Sequence, residues 1–174
     1  MPSHHGQRLL DRLRRDRRGV SIVEFAVIAN VVLVLLLIGF EAAFQMVIST
    51  ALDHGAREAS RTAALGPVGG VTSRDAVLAR VLTRAGLPLG AWGTASITAE
   101  RFTDYAALAS SGALPAGNLC NGGGTQTTST GVSGGIIRYC IHYDARGFTP
   151  LARMFLASGL FQHRTFFVVQ NEPY

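Results

Sequence analysis

The sequence predicts an α+β protein in which one long N-terminal helix leads into a small domain with an antiparallel sheet and short helices. The first observation is a stretch from residue 20 to residue 65 that contains no proline and is mostly apolar or alanine-rich. The second is the order of the later segments, in which a helix, two strands, a short helix and a last strand follow. This order predicts a small antiparallel sheet laid against the long helix.

Residues 20–40 have the length and composition of a transmembrane helix. This apolar stretch is interrupted by Glu24 and Asn30, and leucine, valine and isoleucine dominate its second half. At about 1.5 Å per residue it is roughly 31 Å long, which is close to the thickness of the hydrocarbon core of a bilayer. We therefore expect the chain to cross a membrane once.

The net charge of +5 is concentrated before the apolar stretch. Residues 1–19 contain six arginines and two aspartates, whereas residues 20–174 carry ten arginines against nine acidic residues. A nucleic-acid-binding protein needs its positive charge on a folded face, so we expect no nucleic-acid partner. By the positive-inside rule, the N-terminus is cytoplasmic and the C-terminal part lies outside the inner membrane, in the periplasm.

These features divide the chain into three predicted parts. A basic cytoplasmic leader (1–19) precedes a long helix (20–65), and a periplasmic α+β domain (66–174) follows. A secretory signal peptide with a small-residue cleavage site at Ser49-Thr50-Ala51 is one alternative, although its apolar stretch is normally shorter. An uncleaved signal anchor is another.

The start of the apolar stretch carries a short motif, Arg17-Arg18-Gly19-Val20-Ser21-Ile22-Val23-Glu24-Phe25. It resembles the processing site of type IV pilin-like precursors, and most closely that of the pseudopilins of tight adherence (Tad) pilus systems. The resemblance implies cleavage between Gly19 and Val20 by a prepilin peptidase, and subunit docking through Glu24 and Phe25. Cleavage creates a positively charged α-amine, and a buried carboxylate is tolerated when such a cation pairs with it.

The helix beyond residue 40 carries an apolar face that we expect to receive the folded domain. Its members are Phe44, Val47, Ile48, Ala51, Leu52, Gly55, Ala56 and Ala59. The segment from Ala56 to Arg61 resembles the stretch that follows the membrane segment in TadE-like proteins. Gly66-Pro67 ends the helix.

The outer domain shows two further helices and three strands. Thr72 to Asp75 resembles a capping box, and an apolar stripe from Val77 to Ala85 follows it before Gly86. Strands are predicted at 96–102, 135–143 and 163–170, and Thr149-Pro150 caps a short helix over 151–158. The consecutive apolar residues 166–169 suit a strand buried on both faces or an edge strand under the long helix.

Two of these segments again resemble TadE-like proteins. They are Phe148-Thr149-Pro150-Leu151 and the ending from Thr165 to Tyr174, which contains Asn171-Glu172-Pro173. The resemblance therefore covers both ends of the chain and leaves the middle without a familiar motif.

Cys120 and Cys140 bracket a segment rich in glycine, serine and threonine, from Leu119 to Gly135, which reads as a flexible loop. In an oxidising periplasm these cysteines most simply form a disulfide, which in the chain-entropy model stabilises the fold by roughly 3 kcal/mol. A cysteine nucleophile served by His142 is the alternative. We expect no catalytic residues, no metal site and no cofactor, because the histidines and cysteines lack the spacing of ligands.

The resemblance implies a TadE-like minor pseudopilin, a non-enzymatic component of a Tad-type pilus with a role in adhesion and biofilm formation. The implied partners are a prepilin peptidase, other pilins or pseudopilins, the Tad assembly proteins and the inner membrane. A type II secretion pseudopilin, an uncleaved periplasmic binding module and an anchored envelope enzyme remain open as alternatives.

Overall fold

The computed structural model describes residues 18–65, 72–87, 89, 92–111, 123–129, 133–155 and 158–172. The chain divides into two compact units, Met1–Phe40 and Glu41–Tyr174. Among the features predicted from the sequence, most of the basic leader, the helix end at Gly66-Pro67, Cys120, and residues 121–122 and 130–132 of the segment between the cysteines lie outside the described residues.

The first helix, α1 (Arg18–Ala64), has 47 residues and confirms the predicted long helix. It continues without a break because its sequence has no proline and consists largely of apolar and good helix-forming residues. At its C-terminal end the Ala64 carbonyl accepts a hydrogen bond from the Glu172 amide at 2.9 Å. This bond satisfies one of the carbonyls that the end of a helix leaves without an intrahelical donor.

The outer part of α1, from Glu41 to Ala64, buries one face within the second unit. The buried residues recur at intervals of three and four, as expected for one side of an α-helix. They are Glu41, Gln45, Ile48, Leu52, Ala56, Ala59 and Ala63. The predicted apolar face is therefore confirmed at its centre. It is wrong at Val47, which is exposed because the buried stripe passes through Ile48 instead.

The second helix, α2 (Arg74–Ala85), begins one residue later than the predicted capping box indicates. Its N-cap is Ser73, whose hydroxyl accepts a hydrogen bond from the Ala76 amide at 3.2 Å. Gly86 ends the helix in the left-handed region with φ 66°, a conformation that glycine adopts without steric cost. Val77, Val81 and Leu82 are buried against the core.

The sheet contains four strands in the order β2-β1-β3-β4, and every neighbouring pair is antiparallel. The strands are β1 (Gly93–Phe102), β2 (Thr125–Gln126), β3 (Ile136–Arg146) and β4 (Leu160–Gln170). Short helices α3 (Tyr105–Ser110) and α4 (Pro150–Phe155) follow β1 and β3. The predicted α+β class with an antiparallel sheet and short helices is confirmed.

The hydrophobic core lies between one face of this sheet and the helices α1 and α2. Central members are Leu52 of α1, Val81 of α2, Ile97 of β1 and Ile141 of β3. Val169 contributes from β4, an edge strand whose Phe166 and Val168 remain exposed on the other face. Of the two interpretations of the apolar run, the one that buries both faces is therefore wrong.

The opposite face of the sheet holds a buried ion pair. Arg138 Nη2 donates to Glu100 Oε2 at 2.5 Å, and the Arg138 guanidinium lies 5.0 Å from the centre of the Phe102 ring. Gln126 of β2 donates a further hydrogen bond to Glu100 Oε1 at 3.0 Å. The flexible loop predicted between Leu119 and Gly135 is wrong at β2, which pairs with β1. The free edge of β1 offers backbone partners that composition alone does not reveal.

Gly55 marks the closest approach of α1 to α2. A Cβ atom at Gly55 would lie 2.5 Å from the Val81 carbonyl oxygen and 2.9 Å from Ala85 Cβ. We expect Gly55→Ala to lower the free energy of unfolding by about 1–3 kcal/mol, because the added methyl group separates two packed helices. Urea unfolding of the detergent-solubilised chain, followed by Trp92 fluorescence, measures this change.

Gly39→Ala is the matched control, because a Cβ atom at Gly39 meets nothing within 4 Å. There we expect no loss of stability, since alanine is the better helix former by about 1 kcal/mol. An equal response of the two variants would contradict the close approach at Gly55.

Candidate functional site

The first unit exposes an apolar helical surface. None of the side chains from Ser21 to Phe40 is buried. In the described part of the chain, α1 is the one helix long and apolar enough to cross a membrane, with a mean hydropathy of 2.7 in its most apolar stretch. So large an apolar surface marks a site of contact with a membrane or another protein. It is consistent with a membrane anchor.

Glu24 and Phe25 lie next to each other near the start of this surface, and both side chains are exposed. Glu24 is the one acidic residue between residues 20 and 40. No side chain in the described part of the chain forms a hydrogen bond or a salt bridge with it. Because a carboxylate within a bilayer costs on the order of 2.5–3.5 kcal/mol at a helix centre and less near an end, Glu24 is suited to an external cationic partner.

Gly19 and Val20, the predicted processing site, are helical residues of α1. The side chain of Val20 lies outside the described part of the chain.

Glu41, the first residue of the second unit, is the best-satisfied carboxylate on α1. It is 6% exposed and accepts three hydrogen bonds. The Thr149 amide donates to Oε2 at 2.7 Å, and the Phe148 amide and Gln45 Nε2 donate to Oε1 at 3.1 and 2.6 Å. Thr149 Oγ1 accepts in turn from the Ala152 amide at 3.2 Å, so that it caps α4 as predicted.

A chain of hydrogen bonds continues from Glu41 along α1 and reaches the edge strand. Gln45 Oε1 lies 2.8 Å from His163 Nε2, and Ser49 Oγ lies 2.7 Å from His163 Nδ1. An ionised carboxylate only accepts hydrogen bonds, so the Gln45 amide group donates to Glu41 and its oxygen accepts from His163 Nε2–H. His163 Nδ1 is then the acceptor for the Ser49 hydroxyl. The chain fixes a single tautomer of neutral His163.

The environment shifts the pKa of both ionisable groups in this chain. Burial alone would raise the pKa of Glu41, but the hydrogen bonds from Thr149, Gln45 and Phe148 outweigh it and lower the pKa below its ordinary value of 4.5. Burial lowers the pKa of His163 below 6.5, and the Asp144 carboxylate offsets part of this effect. Both shifts favour the protonation states that the hydrogen-bond directions require.

Sequence reasoning assigned no role to Glu41 and did not identify this chain of hydrogen bonds. The signal was nevertheless present. Glu41, Gln45 and Ser49 recur at intervals of four, which places three polar residues on one side of a helix. Their partners, Thr149 and His163, are more than 100 residues away in sequence, and spacing on one helix does not identify them.

Two of the three residues predicted for the disulfide and for the alternative cysteine nucleophile lie in the described part of the chain. Cys140 is fully buried in β3, where its register partners are Thr98 of β1 and Phe166 of β4. His142 lies two residues further along β3 and is partly buried, and burial lowers its pKa. Cys120 lies outside the described residues, so the disulfide stays a prediction.

Comparison with known proteins identifies one similarity. The model of the TadE-like protein family matches residues 19–61. This match confirms the resemblance drawn from the motif at Gly19–Phe25 and from the segment Ala56–Arg61, and it is consistent with a TadE-like protein. No curated protein and no solved structure matches the chain. The similarity to the TadE-like family associates the chain with a Tad pilus.

The buried, neutral His163 predicts a pH dependence of stability. Because its pKa is lower in the folded state, its contribution is fully present above about pH 6.5 and is lost as the pH falls through the lowered value. We expect the urea midpoint of the solubilised chain to fall on acidification from about pH 8 to about pH 5. The fall should be smaller in His163→Gln.

His54→Gln is the control, since His54 is an exposed imidazole on the same helix. It should retain the pH dependence of the natural sequence. Identical slopes in His163→Gln and the natural sequence would show that His163 is not held in its neutral form.

Proposed function

We propose that this chain is a minor pseudopilin of a Tad-type pilus. In this role it is a structural and assembly component, with consequences for adhesion and biofilm formation. A prepilin peptidase removes the basic leader between Gly19 and Val20, and α1 anchors the remaining chain in the inner membrane. The N-terminus faces the cytoplasm before cleavage, and the domain that follows residue 65 lies in the periplasm.

The observation that carries the proposal is the position of the family similarity on the helix. It begins at Gly19, the residue before the proposed cleavage, and it includes Glu24. It extends to residue 61, so it also covers the buried face of α1 in the second unit except for Ala63. The similarity thus spans the segment that a pilin-like subunit needs for processing, membrane insertion and attachment of its domain.

The proposed mechanism is electrostatic pairing between neighbouring subunits. Cleavage leaves a charged α-amine on Val20 at neutral pH, and Glu24 of an adjacent subunit accepts it. Each charge removes part of the cost of keeping the other in an apolar environment. The attraction between unit charges strengthens steeply as the dielectric constant falls. Helices that place Glu24 beside the α-amine are therefore favoured, and this pairing sets the stagger of one helix relative to the next.

The proposal includes no enzymatic activity. Cys140 is buried among the side chains of the sheet, and His163 is bonded on both ring nitrogens to residues of α1. We retain the disulfide between Cys120 and Cys140 as a structural bond of the periplasmic domain. Mass spectrometry of the native protein before and after reduction tests it, and a Cys120→Ser, Cys140→Ser chain that folds should still support pilus assembly.

The first prediction of the proposal concerns processing. Co-expression with the prepilin peptidase of the native host should yield a mature chain whose N-terminal sequence begins at Val20. We expect Gly19→Leu to abolish this cleavage, because a bulky side chain then occupies the position next to the cut bond. Edman sequencing or mass spectrometry of the membrane fraction distinguishes the two products.

Gly39→Leu serves as the matched control, since it places the same side chain on the same helix where there is open space. It should be processed normally. If the functioning native protein keeps its arginine-rich leader, the pseudopilin proposal fails and an anchored periplasmic module remains.

The second prediction concerns Glu24. We expect Glu24→Ala to insert into the membrane as well as the natural sequence or better, because it removes a carboxylate from an apolar segment. Its incorporation into pili should fall at least about tenfold, since a loss of about 1.4 kcal/mol in subunit pairing corresponds to a factor of ten. Quantitative immunoblotting of sheared pili and of the membrane fraction measures both effects.

Asp53→Ala is the control, because it removes an exposed carboxylate from the same helix outside residues 20–40. It should assemble normally. Normal assembly of Glu24→Ala would exclude the pairing role of Glu24. It would not contradict the proposed cleavage between Gly19 and Val20.

A further inference from the structure

The second unit has an apolar and basic surface around its first residues, which continue the chain directly from Phe40. It is formed by Val47 of α1, Phe148 before α4, and Arg153 and Met154 of α4, and we call it the juxtamembrane surface. Met154 is 80% exposed, Val47 65% and Phe148 52%. Such exposure of large apolar side chains marks a surface with a partner.

Hydrogen bonds and ring packing hold this surface beside the first turns of the outer helix. The amides of Phe148 and Thr149 donate to Glu41, the residue directly after the predicted span. The ring centres of Phe44 and Phe148 are 5.2 Å apart. Phe44 follows Phe40, the last residue of the predicted span, by four positions in the sequence, and the headgroup layer that begins where the span ends is about 5–8 Å thick.

The charge of the surface complements a layer of lipid phosphates. No acidic residue occurs from residue 145 to residue 171, whereas three arginines do. Arg153 is exposed, and its Nε donates to the Gly147 carbonyl at 3.0 Å, so its position is fixed. The Glu41 carboxylate is buried and points to backbone amides, and it does not oppose an anionic partner here.

A cavity beside the surface is apolar and aromatic. It has a volume of about 360 Å³, and Phe44, Val47, Trp92 and Phe148 are among its lining residues. Trp92 is half exposed and is the single tryptophan of the sequence. Tryptophan and other aromatic side chains concentrate at the boundary between membrane and water, where an apolar ring and a polar layer meet.

We propose that the juxtamembrane surface docks into the outer headgroup layer of the membrane that α1 crosses, with Phe148 and Met154 between the lipids and Arg153 on lipid phosphate. The inference rests on the membrane anchoring in the proposed function and adds a second contact to it. Anionic lipids strengthen this contact, because each arginine near such a surface gains attraction that decays within a Debye length. Docking limits the orientations that the periplasmic domain adopts before it enters an assembly.

Quenching of Trp92 by brominated lipids tests the proposal with the full chain reconstituted into vesicles. Bromines are placed either near the headgroup end of the acyl chain or near its methyl end, in vesicles of neutral phosphatidylcholine or with about one third phosphatidylglycerol. We expect a loss of Trp92 emission that is larger with the shallow bromines and larger in the anionic vesicles. About 1 M salt should remove the difference between the two compositions, because it shortens the Debye length to about 3 Å.

Matched variants separate docking from folding. Phe148→Ser should reduce the quenching in both compositions, and Arg153→Gln should reduce it in the anionic vesicles. Phe166→Ser and Arg101→Gln make the same changes at exposed positions of β4 and β1 and should leave the quenching unchanged. Urea midpoints of all four variants identify any that has lost its fold.

Flotation of the vesicles distinguishes the possible failures. A chain that does not float with the lipid would overturn the membrane anchoring and the docking together. A chain that floats but whose Trp92 emission is the same with and without bromines would overturn the docking alone. Equal quenching in Phe148→Ser, Phe166→Ser and the natural sequence would also overturn it.

Discussion

The hydrogen bonds to Glu41 are the constraint on which the second unit depends. A carboxylate as buried as this one is stable only when its lost hydration is replaced, and two backbone amides and the Gln45 side chain replace it. The same bonds fix the loop before α4, because the amide of the N-cap residue Thr149 is one of the donors. Through Gln45 they also fix the tautomer of His163, so that α1, α4 and β4 are joined by one directed chain of charge-assisted and neutral hydrogen bonds.

Two of the four carboxylates of α1, Glu24 and Glu41, differ in what surrounds them. Glu41 obtains its hydrogen bonds within its own chain, and its pKa is lowered as a result. Glu24 lies 17 residues earlier in an exposed apolar surface, and the described residues supply it with no partner. Two glutamates on one helix therefore have different requirements. The fold satisfies that of Glu41, and in the proposed function the α-amine of a neighbouring subunit satisfies that of Glu24.

Much of the fold follows from the sequence, and the missed parts share a cause. The helix α1 and the strands β1, β3 and β4 were predicted because a long apolar run and period-two alternation are local signals. Gln126 in β2 was missed because its strand forms only against Glu100 of β1, in a segment whose composition is typical of loops. At the candidate site, Glu24 was identified from its motif. His163 was missed because its role depends on a contact with Ser49, 114 residues away in sequence.

Both segments that resemble TadE-like proteins outside residues 19–61 form hydrogen bonds with α1. Phe148 and Thr149 bond to Glu41 at the start of the outer helix, and the Glu172 amide bonds to Ala64 at its end. The two short motifs therefore act as clamps at the two ends of the buried face. Both clamps lie on the outer part of α1, from Glu41 to Ala64, and they fix the position of the sheet along it.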